Sequence, residues 1–228
     1  LYQKMVTSQV VSTPVEIAEV SKLVENAFRD VNVAFANEVG LICESYGIDV
    51  AELIKVCNSH PRVKLLQPGP GVGGPCLPKD PYLLLNPQGK KQIDSKMIID
   101  SRKINDSMPY HVVDLALDII KDLGKKIDQS TILVLGVSYK ANVSDIRFSP
   151  SKDIISQLSK NGCNVLVYDP KSKESFGAKR TENIWESISQ SDVLVIVTDH
   201  DEFKSLDLSK IKQSMKNPVI VDTRRIFS

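Results

Sequence analysis

A short stretch rich in glycine and proline holds the residues of this chain that could carry out covalent chemistry. Residues 69–81 have the sequence Gly-Pro-Gly-Val-Gly-Gly-Pro-Cys-Leu-Pro-Lys-Asp-Pro. The glycines let the backbone approach a ligand closely, whereas the prolines fix φ and stiffen the loop. Lys79 and Asp80 follow Cys76, and a thiol beside a cation can act as a nucleophile because the charge favours the thiolate. Composition alone leaves a second interpretation open, a rigid turn with an incidental buried cysteine.

The overall composition narrows the classes of protein to which the chain can belong. Its 228 residues fit one large domain or two of ordinary size. A formal charge of +1 gives no support to a nucleic-acid or membrane-surface partner; no apolar run reaches membrane-spanning length, and the N-terminal residues do not have the organisation of a signal peptide. The four cysteines lie far apart, without a C-x-x-C pair or nearby histidines. We therefore expect no metal site, no disulfide framework and a location in the reducing cytoplasm.

The first half of the chain has the hydrophobic periodicity of long helices. Segment 13–47 begins with Thr-Pro-Val-Glu, which predicts Thr13 as the N-cap of a capping box, and ends at a glycine that stops the helix. A second capping box, which begins at Asp49, predicts a short helix over 49–56. Another long helix is predicted over 94–123, with a kink or break near Ser107 caused by Pro109. The long apolar face can be buried only against other long helices, so we expect a dimer.

The second half changes to short strands rich in β-branched residues. Predicted strands at 131–135, 165–168, 193–197 and 219–221 alternate with predicted helices at 151–160, 184–189 and 208–215. This alternation predicts a parallel, doubly wound sheet with a ligand crevice at the carboxyl ends of the strands. The expected fold class is therefore α/β, with an all-helical domain followed by a Rossmann-like domain.

Basic residues follow the predicted strands, where that crevice would lie. Lys140 and Arg147 come after the first strand, and Arg224 comes after the last. One such cation is usually a solvated surface charge, but three at the strand ends of one sheet favour an anionic ligand such as a diphosphate. Asp169 follows the second strand, but the G-x-G-x-x-G phosphate fingerprint is absent after the first strand, where only Gly136 is present, so we interpret Asp169 and Pro170 as a turn.

Several motifs recur in the order of a known family. They are Ala-Glu-Val-Ser-Lys-Leu-Val-Glu-Asn at 18–26, Phe-Ala-Asn-Glu at 35–38, the Gly-Gly-x-Cys-x-x-Lys-Asp core of the loop, Gly-Val-Ser-Tyr-Lys at 136–140 and Asp-x-Arg-x-Ser-Pro at 145–150. Together they resemble the nucleotide-sugar 6-dehydrogenases, the UDP-glucose/UDP-mannuronate dehydrogenase superfamily. Segment 60–74 is most similar to the branch acting on UDP-N-acetylmannosamine, although Pro75 stands where bacterial members of that branch often have His.

The resemblance implies an architecture of three parts. Members of the family have an N-terminal NAD-binding domain, a helical middle domain that dimerises and a C-terminal UDP-binding domain. We expect residues 1–12 to be a remnant of the first, 13–124 to be the middle domain and 125–228 to be the UDP-binding domain. The chain would then be a fragment of a longer protein; the alternative is a natural protein without the hydride-acceptor site.

The resemblance also implies a reaction, the two-step oxidation of a sugar C6 alcohol to a carboxylate with two NAD⁺. Cys76 would capture the C6 aldehyde as a thiohemiacetal, and oxidation would give a thioester that water hydrolyses. The other matched residues are Lys22 and Asn26 for the oxyanion, Asp80 for water, Arg62 (from the neighbouring subunit), Gly73, Tyr139, Lys140 and Arg224 for the UDP-sugar, and Lys79 and Arg147 for NAD.

Other hypotheses remain open. The substrate could be UDP-GlcNAc or UDP-glucose, or the chain could be a non-catalytic module that binds a UDP-sugar and dimerises. A cysteine hydrolase or acyltransferase that needs no NAD is a third class. Against it, His60, His111 and His200 are scattered, and none is placed as a base for the thiol.

Overall fold

Two long helices dominate the first half of the chain. The computed structural model describes residues 2–86 and 94–227; residue 1, residues 87–93 and residue 228 lie outside them, although the predicted domain ranges include them. The helices of this half are α1 (Val15–Tyr46), α2 (Val50–Cys57), α3 (Asp80–Leu85) and α4 (Lys96–Asp122). Helix α1 packs along α4 and also contacts α2 and α3. None of the helices in the described ranges is both long enough and apolar enough to cross a membrane.

The helix ends lie where the capping and stop residues of the sequence predict them, with one exception. Gly47 ends α1 in the left-handed conformation, at φ 64°, and its N–H bonds to carbonyls of the last turn. The Asp49 side chain accepts a hydrogen bond from the Ala51 N–H and caps α2 as predicted. The prediction of Thr13 as N-cap of α1 is wrong by one residue, because Pro14 occupies that position without a side-chain cap.

Helix α4 continues through Pro109, so the predicted break near Ser107 is wrong. Proline lacks an N–H and leaves the Asn105 carbonyl without its usual helical donor. That carbonyl faces Gly71, where an added Cβ would lie 3.2 Å from it and 3.3 Å from Pro109 Cδ. The proline therefore forms part of a surface against which the glycine-rich loop packs.

The second half is a parallel sheet flanked by helices. Its strands are β1 (Thr131–Leu135), β2 (Asn164–Tyr168), β3 (Lys179–Arg180), β4 (Val193–Ile196) and β5 (Ile220–Asp222), in the order β3-β2-β1-β4-β5. All pairings are parallel, and Leu133 of β1 aligns with Leu166 of β2 and Leu194 of β4. The helices are α5 (Pro150–Lys160), α6 (Ile184–Gln190), α7 (Asp201–Lys204) and α8 (Leu208–Ser214). The predicted fold class, a helical region followed by a parallel α/β sheet, is confirmed.

The two faces of the sheet have separate cores, and α4 contributes to one of them. Helices α6, α7 and α8 cover one face. The other face packs against α5 and against the C-terminal half of α4, through buried residues such as Val113, Ala116 and Ile120. Because the N-terminal half of α4 packs on α1, one continuous helix joins the helical region to the sheet.

Buried polar side chains connect α1 and α4. We call Asp30, Asn37, Arg102 and Asn105 the Asp30 cluster; each is at most 2% exposed. The Arg102 guanidinium donates to Asp30 Oδ1 at 2.6 Å, and Asn105 Nδ2 donates to the same oxygen at 2.9 Å. Asn105 Oδ1 accepts from Asn37 Nδ2, also at 2.9 Å. Burial raises the pKa of Asp30 above its usual value, although the Arg102 charge opposes this shift.

Removing Arg102 tests the Asp30 cluster. In Arg102→Leu the Asp30 carboxyl stays buried without its cation, so we expect the free energy of unfolding to fall by about 3–5 kcal/mol. Urea denaturation measures this. The double variant Asp30→Leu/Arg102→Leu should recover part of the loss, because no uncompensated charge remains. Lys121→Met, which removes an ion pair between exposed side chains, should leave the midpoint unchanged. A midpoint for Arg102→Leu equal to that of Lys121→Met would contradict this role.

Candidate functional site

The glycine loop, residues 69–74, lies between the helical region and the sheet. At its start, the Gly69 N–H donates to Asn37 Oδ1 of α1 at 2.8 Å. At its end, the Gly74 N–H donates to the Arg147 carbonyl, in the segment after β1, at 2.8 Å. The loop therefore bridges the two halves of the molecule.

Close packing explains why glycines occupy the end of this loop. A Cβ at Gly73 would lie 2.7 Å from both the Phe148 carbonyl oxygen and Tyr139 Cβ. Gly74 has φ +93°, and a Cβ there would lie 2.8 Å from the Tyr139 ring. Side chains at either position would displace Tyr139, so the structure brings the predicted substrate residues Gly73 and Tyr139 into contact.

Cys76 lies just after the loop and is exposed, whereas Cys43 and Cys163 are buried. The interpretation of residue 76 as an incidental buried cysteine is therefore wrong. Its carbonyl accepts the N–H groups of Lys79 and Asp80, at 3.0 and 2.9 Å, at the start of α3. This turn fixes the backbone of the thiol relative to the two charged residues that follow it.

The Arg147 side chain lies on the same side of the molecule as Cys76. Its guanidinium makes several hydrogen bonds to the Asp145 carboxylate, and these are the main reason why the pKa of Arg147 is raised. Smaller electrostatic contributions come from Tyr139 and Cys76, so the cation is near both groups. Arg147 is exposed and keeps its positive charge facing solvent.

A buried hydrogen bond joins two more of the predicted catalytic residues. Asn26 Nδ2 of α1 donates to Asp80 Oδ2 of α3 at 2.7 Å, and both residues are buried. Lys79 Nζ lies 3.7 Å from the other Asp80 oxygen. Lys22, one turn before Asn26, instead pairs with Glu25 at 3.3 Å, and both side chains are about two thirds exposed (66% and 67%). The structure thus brings together Asn26, Lys79 and Asp80 but not Lys22.

The carboxyl ends of β1, β4 and β5 form the crevice edge of the sheet. Chain connectivity changes direction between β1 and β4, the point at which such sheets bind ligands. Arg224 follows β5; its Nε donates to the Val197 carbonyl at 2.8 Å, and its Nη1 lies 3.1 Å from where a Gly69 Cβ would be. Burial lowers the pKa of Arg224, and the charge of Asp199 opposes the shift.

The remaining predicted residues, Lys140 and Arg62, are exposed. Lys140 follows Tyr139 directly and makes no hydrogen bond or ion pair within the described ranges. Arg62 lies in the turn after α2, where its N–H donates to His60 Nδ1 at 3.3 Å. The convergence of Lys140, Arg147 and Arg224 on one anion stays a prediction. The role of Arg62 at the site of a neighbouring subunit also stays a prediction.

Two cavities border the glycine loop. An open cleft of about 650 Å³ on one side is lined by Arg147 and by Val72 and Pro78, which flank Cys76 in the sequence. Its volume is within the usual range of small-molecule sites. A smaller cavity of about 230 Å³ on the Asn37 side includes Gly69 but none of the predicted site residues. Across the part of the chain that is described, no group of His, Cys, Asp and Glu residues is arranged to hold a metal ion.

Sequence reasoning missed one buried pair at the crevice edge. Asp169 does cap a turn, since its Oδ1 accepts from the N–H groups of Lys171 and Ser172. Its Oδ2, however, accepts from backbone N–H groups after β1 and lies 3.2 Å from His200 Nε2. Burial would raise the pKa of Asp169, but the hydrogen bonds from His200 and the backbone outweigh it and hold the pKa well below its usual range. Only the place of Asp169 at a strand end indicated such a role.

Comparison with known proteins gives consistent matches across the chain. Residues 16–107 match the central domain of the UDP-glucose/GDP-mannose dehydrogenase family, and residues 133–228 match the UDP binding domain of the same family. The chain is 41% identical to the UDP-N-acetyl-D-mannosamine dehydrogenase of Methanococcus maripaludis, matching 100% of this chain and 52% of that protein. It is 37% identical to the NDP-N-acetyl-D-galactosaminuronic acid dehydrogenase of Ralstonia solanacearum, again over 100% of this chain and 52% of the relative.

A solved structure gives the same result for the fold. The UDP-D-ManNAc dehydrogenase of Pyrococcus horikoshii superposes with a TM-score of 0.90 at 38% identity, over 100% of this chain and 52% of that one. The chain therefore spans about half the length of the relatives it matches. Two domains of one family follow each other here in the order that the motifs predict, and the chain belongs to the UDP-glucose/GDP-mannose dehydrogenase family.

Proposed function

We propose that this chain forms the central and UDP-binding parts of an NAD-dependent UDP-sugar 6-dehydrogenase that acts on UDP-N-acetyl-D-mannosamine. The observation that carries the proposal is the exposed thiol of Cys76 at a turn whose backbone bonds lead to Asp80, a carboxylate that accepts from Asn26 of α1 and lies 3.7 Å from Lys79 Nζ. Family membership and the names of relatives such as the one from Methanococcus maripaludis support the substrate class. Because the chain spans half of those relatives, the activity of the whole protein is part of the proposal.

In this proposal Cys76 captures the aldehyde formed by the first oxidation. The sulfur adds to C6 and the aldehyde oxygen takes up a proton, which gives a thiohemiacetal that retains the sugar on the protein. Removal of hydride from C6, together with loss of the hydroxyl proton to water, converts it to a thioester. Water then attacks the carbonyl carbon, the Cys76 thiolate leaves, and the C6 carboxylate is released. NAD⁺, when bound, supplies the acceptor for the hydride in both oxidations.

Asn26 and Asp80 have coupled roles in the same scheme. The Asn26 amide has a second N–H besides the one donated to Asp80, and it is available to an oxyanion at C6. Asp80 accepts the Asn26 bond through one oxygen and lies near Lys79 through the other, so its carboxylate is held for positioning or activating water. Lys22 takes part only if its ammonium leaves Glu25. Lys79 and Arg147 are exposed cations, Lys79 three residues after Cys76 and Arg147 at the carbonyl that accepts from Gly74, which fits contact with an anionic dinucleotide.

The UDP portion of the substrate is proposed to bind where the glycine loop meets the crevice edge of the sheet. Gly73 and Tyr139 form the packed floor, and Lys140 and Arg224 provide positive charge for the diphosphate. The similarity to NDP-N-acetyl-D-galactosaminuronic acid dehydrogenases leaves other UDP-sugars, including UDP-GlcNAc and UDP-glucose, as alternatives for product analysis.

A homodimer is also part of the proposal, because residues 2–86 and 94–227 leave the apolar face of α1 uncovered. The buried face of α1 consists largely of small and polar residues, whereas its large apolar residues are exposed. The exposed set is Val15, Ile17, Val20, Val24, Phe28, Phe35 and Ile42. Residues 28, 35 and 42 recur every seven positions, the spacing with which one helix packs along another. A second copy would cover this face and would bring Arg62 to the neighbouring site.

UDP binding is the first prediction. Calorimetry should detect binding of UDP to the chain, and Lys140→Ala and Arg224→Ala should each weaken it roughly tenfold, since a charge-assisted contact is lost. Lys160→Ala, an exposed lysine at the end of α5, is the matched control and should bind normally. A wild-type chain that does not bind UDP would contradict the proposal. Because no G-x-G-x-x-G fingerprint follows any of the described strands, we expect no NADH production from the chain alone.

Sedimentation tests the dimer. The wild-type chain should sediment as a dimer at micromolar concentration, and Phe28→Asp/Phe35→Asp should sediment as a monomer because charge is introduced into the apolar face. Val56→Asp makes the same kind of change on an exposed apolar residue of α2, away from that face, and should stay dimeric. A monomeric wild type would refute the dimer without affecting the UDP-binding prediction.

The covalent step is tested by replacing Cys76 in the protein that includes its NAD-binding part. Cys76→Ala should lose uronate formation by orders of magnitude and leave at most slow oxidation to the aldehyde, because capture is abolished. In Cys76→Ser, mass spectrometry should detect a sugar ester, since esters hydrolyse more slowly than thioesters. Lys22→Ala should lower turnover about 10²–10³-fold if its charge stabilises the oxyanion. Cys57→Ala is the control and should keep its turnover; near-normal uronate formation by Cys76→Ala would exclude the mechanism.

A further inference from the structure

A buried acid–imidazole pair lies directly behind the proposed UDP site. Asp169 directly follows β2, at the carboxyl end of that strand, and His200 lies in the segment after β4. Asp169 is 1% exposed and His200 is 0% exposed. Asp169 Oδ2 and His200 Nε2 lie 3.2 Å apart. A buried ionisable pair is costly unless its hydrogen bonds are satisfied, so the partners of its remaining atoms indicate what it does.

The carboxylate holds the segment that precedes Tyr139. Asp169 Oδ2 accepts the N–H groups of Val137 and Ser138, at 2.7 and 3.1 Å, and lies 3.2 Å from Ser138 Oγ. These residues lie just after the last residue of β1, where the strand ladder no longer supplies acceptors. The carboxylate replaces the neighbouring strand as the partner of this backbone.

The imidazole holds the segment that follows Lys140. His200 Nδ1 accepts the Asn142 N–H at 2.9 Å. Since Nδ1 accepts, the proton of the neutral ring is on Nε2, and Nε2 donates to Asp169. Asn142 has φ 61°, a strained value for a residue with a side chain, and it also bonds to Asp201 at 2.7 Å. The backbone of Tyr139 and Lys140 is thus anchored on both sides by one pair of side chains.

We propose that Asp169 and His200 are positioning residues for UDP: they fix the backbone that carries Tyr139 and Lys140, and thereby set the affinity for the nucleotide. The inference rests on the proposed UDP-binding function. A loop that is already held in its binding conformation loses little entropy when the ligand binds. The ring of Tyr139 lies against Gly74, so a displaced loop would also disturb the contact with the glycine loop. Neither Asp169 nor His200 needs to touch the ligand.

Two substitutions of His200 separate its two bonds. In His200→Gln the amide nitrogen takes the place of Nε2 and still donates to Asp169, but the Asn142 N–H loses its acceptor. In His200→Asn the amide oxygen takes the place of Nδ1 and still accepts from Asn142. We expect calorimetry to give a roughly tenfold loss of UDP affinity for His200→Gln and for Asp169→Asn, and a loss of at most about threefold for His200→Asn.

Two controls distinguish positioning from general stability. Ile188→Ala creates a cavity in the core between the sheet and α6, away from the crevice edge, and should lower the thermal midpoint without changing UDP affinity. His111→Gln alters a histidine that pairs with Glu44 in the helical region, and should also bind UDP normally. If Ile188→Ala loses as much affinity as His200→Gln at the same thermal midpoint, the pair is only structural and the inference is overturned.

The outcomes separate this inference from the proposed function. A wild-type chain that does not bind UDP contradicts the proposed function itself. A wild-type chain that binds UDP while His200→Gln and Asp169→Asn bind equally well overturns only the positioning role. If His200→Gln does not fold, hydrogen exchange of the wild-type chain decides. The amides of Val137, Ser138 and Asn142 should then be protected like those of β1, and exchange at the rate of an open loop would overturn the inference.

Discussion

The packing of the glycine loop between two differently folded regions is the constraint on which the rest of the molecule depends. Gly69 is tied to α1 through Asn37, Gly71 fits against α4 at Pro109, and Gly74 lies under Tyr139. No side chain larger than hydrogen fits at these last positions without moving backbone or ring atoms. The loop that leads into Cys76 therefore fits only one relative position of α1, α4 and the sheet. The backbone position of Cys76 depends on that fit.

The Asp30 cluster and the Asp169–His200 pair support this loop from opposite sides. In the first, Asn105 links Asp30 to Asn37, and Asn37 in turn holds Gly69. In the second, the bonds go to the segment that carries Tyr139. Both are buried and polar, and most of their polar atoms are hydrogen-bonded, although Asp30 Oδ2 and Arg102 Nε have no hydrogen-bond partner among the described residues. Such groups favour one arrangement over similar ones because misplacing them leaves further polar atoms without partners. The apolar cores on the two faces of the sheet contribute most of the stability, and the buried polar groups select one arrangement of the elements.

Much of this fold was predictable because its helix ends and strands depend on interactions between residues that are close in sequence. The glycine that ends α1, the Asp49 cap and the alternation of β-branched strands with helices are encoded within a few residues, and the structure has them where they were expected. Helices α3 and α7 and strand β3 are too short to produce a periodic pattern, and none was predicted. The break at Pro109 was predicted from the missing N–H alone; the compensating contact with Gly71 is distant in sequence and could not be inferred.

The site was predictable in part, for the same reason. Motifs identified Cys76, Asp80 and Asn26, and the Asn26–Asp80 contact brings residues 54 positions apart in sequence together. His200 gave no indication of its role, because its partners come from β2 and from the segment after β1. The apolar spacing of α1 correctly indicated a helix but not which neighbour its face meets: α4 packs against the small and polar residues instead.

The continuity of α4 has a consequence for how this chain can vary in length. Each residue turns an α-helix by about 100°, so one residue inserted or deleted between Asn105 and Val113 would rotate one half of α4 against the other by that angle. Arg102 and Asn105 would then face away from Asp30, or Val113 and Ala116 would leave the sheet. The middle of α4 therefore tolerates substitution far better than a change in residue count. We expect changes in residue count to be tolerated better in exposed turns, where the backbone has no such phase to keep.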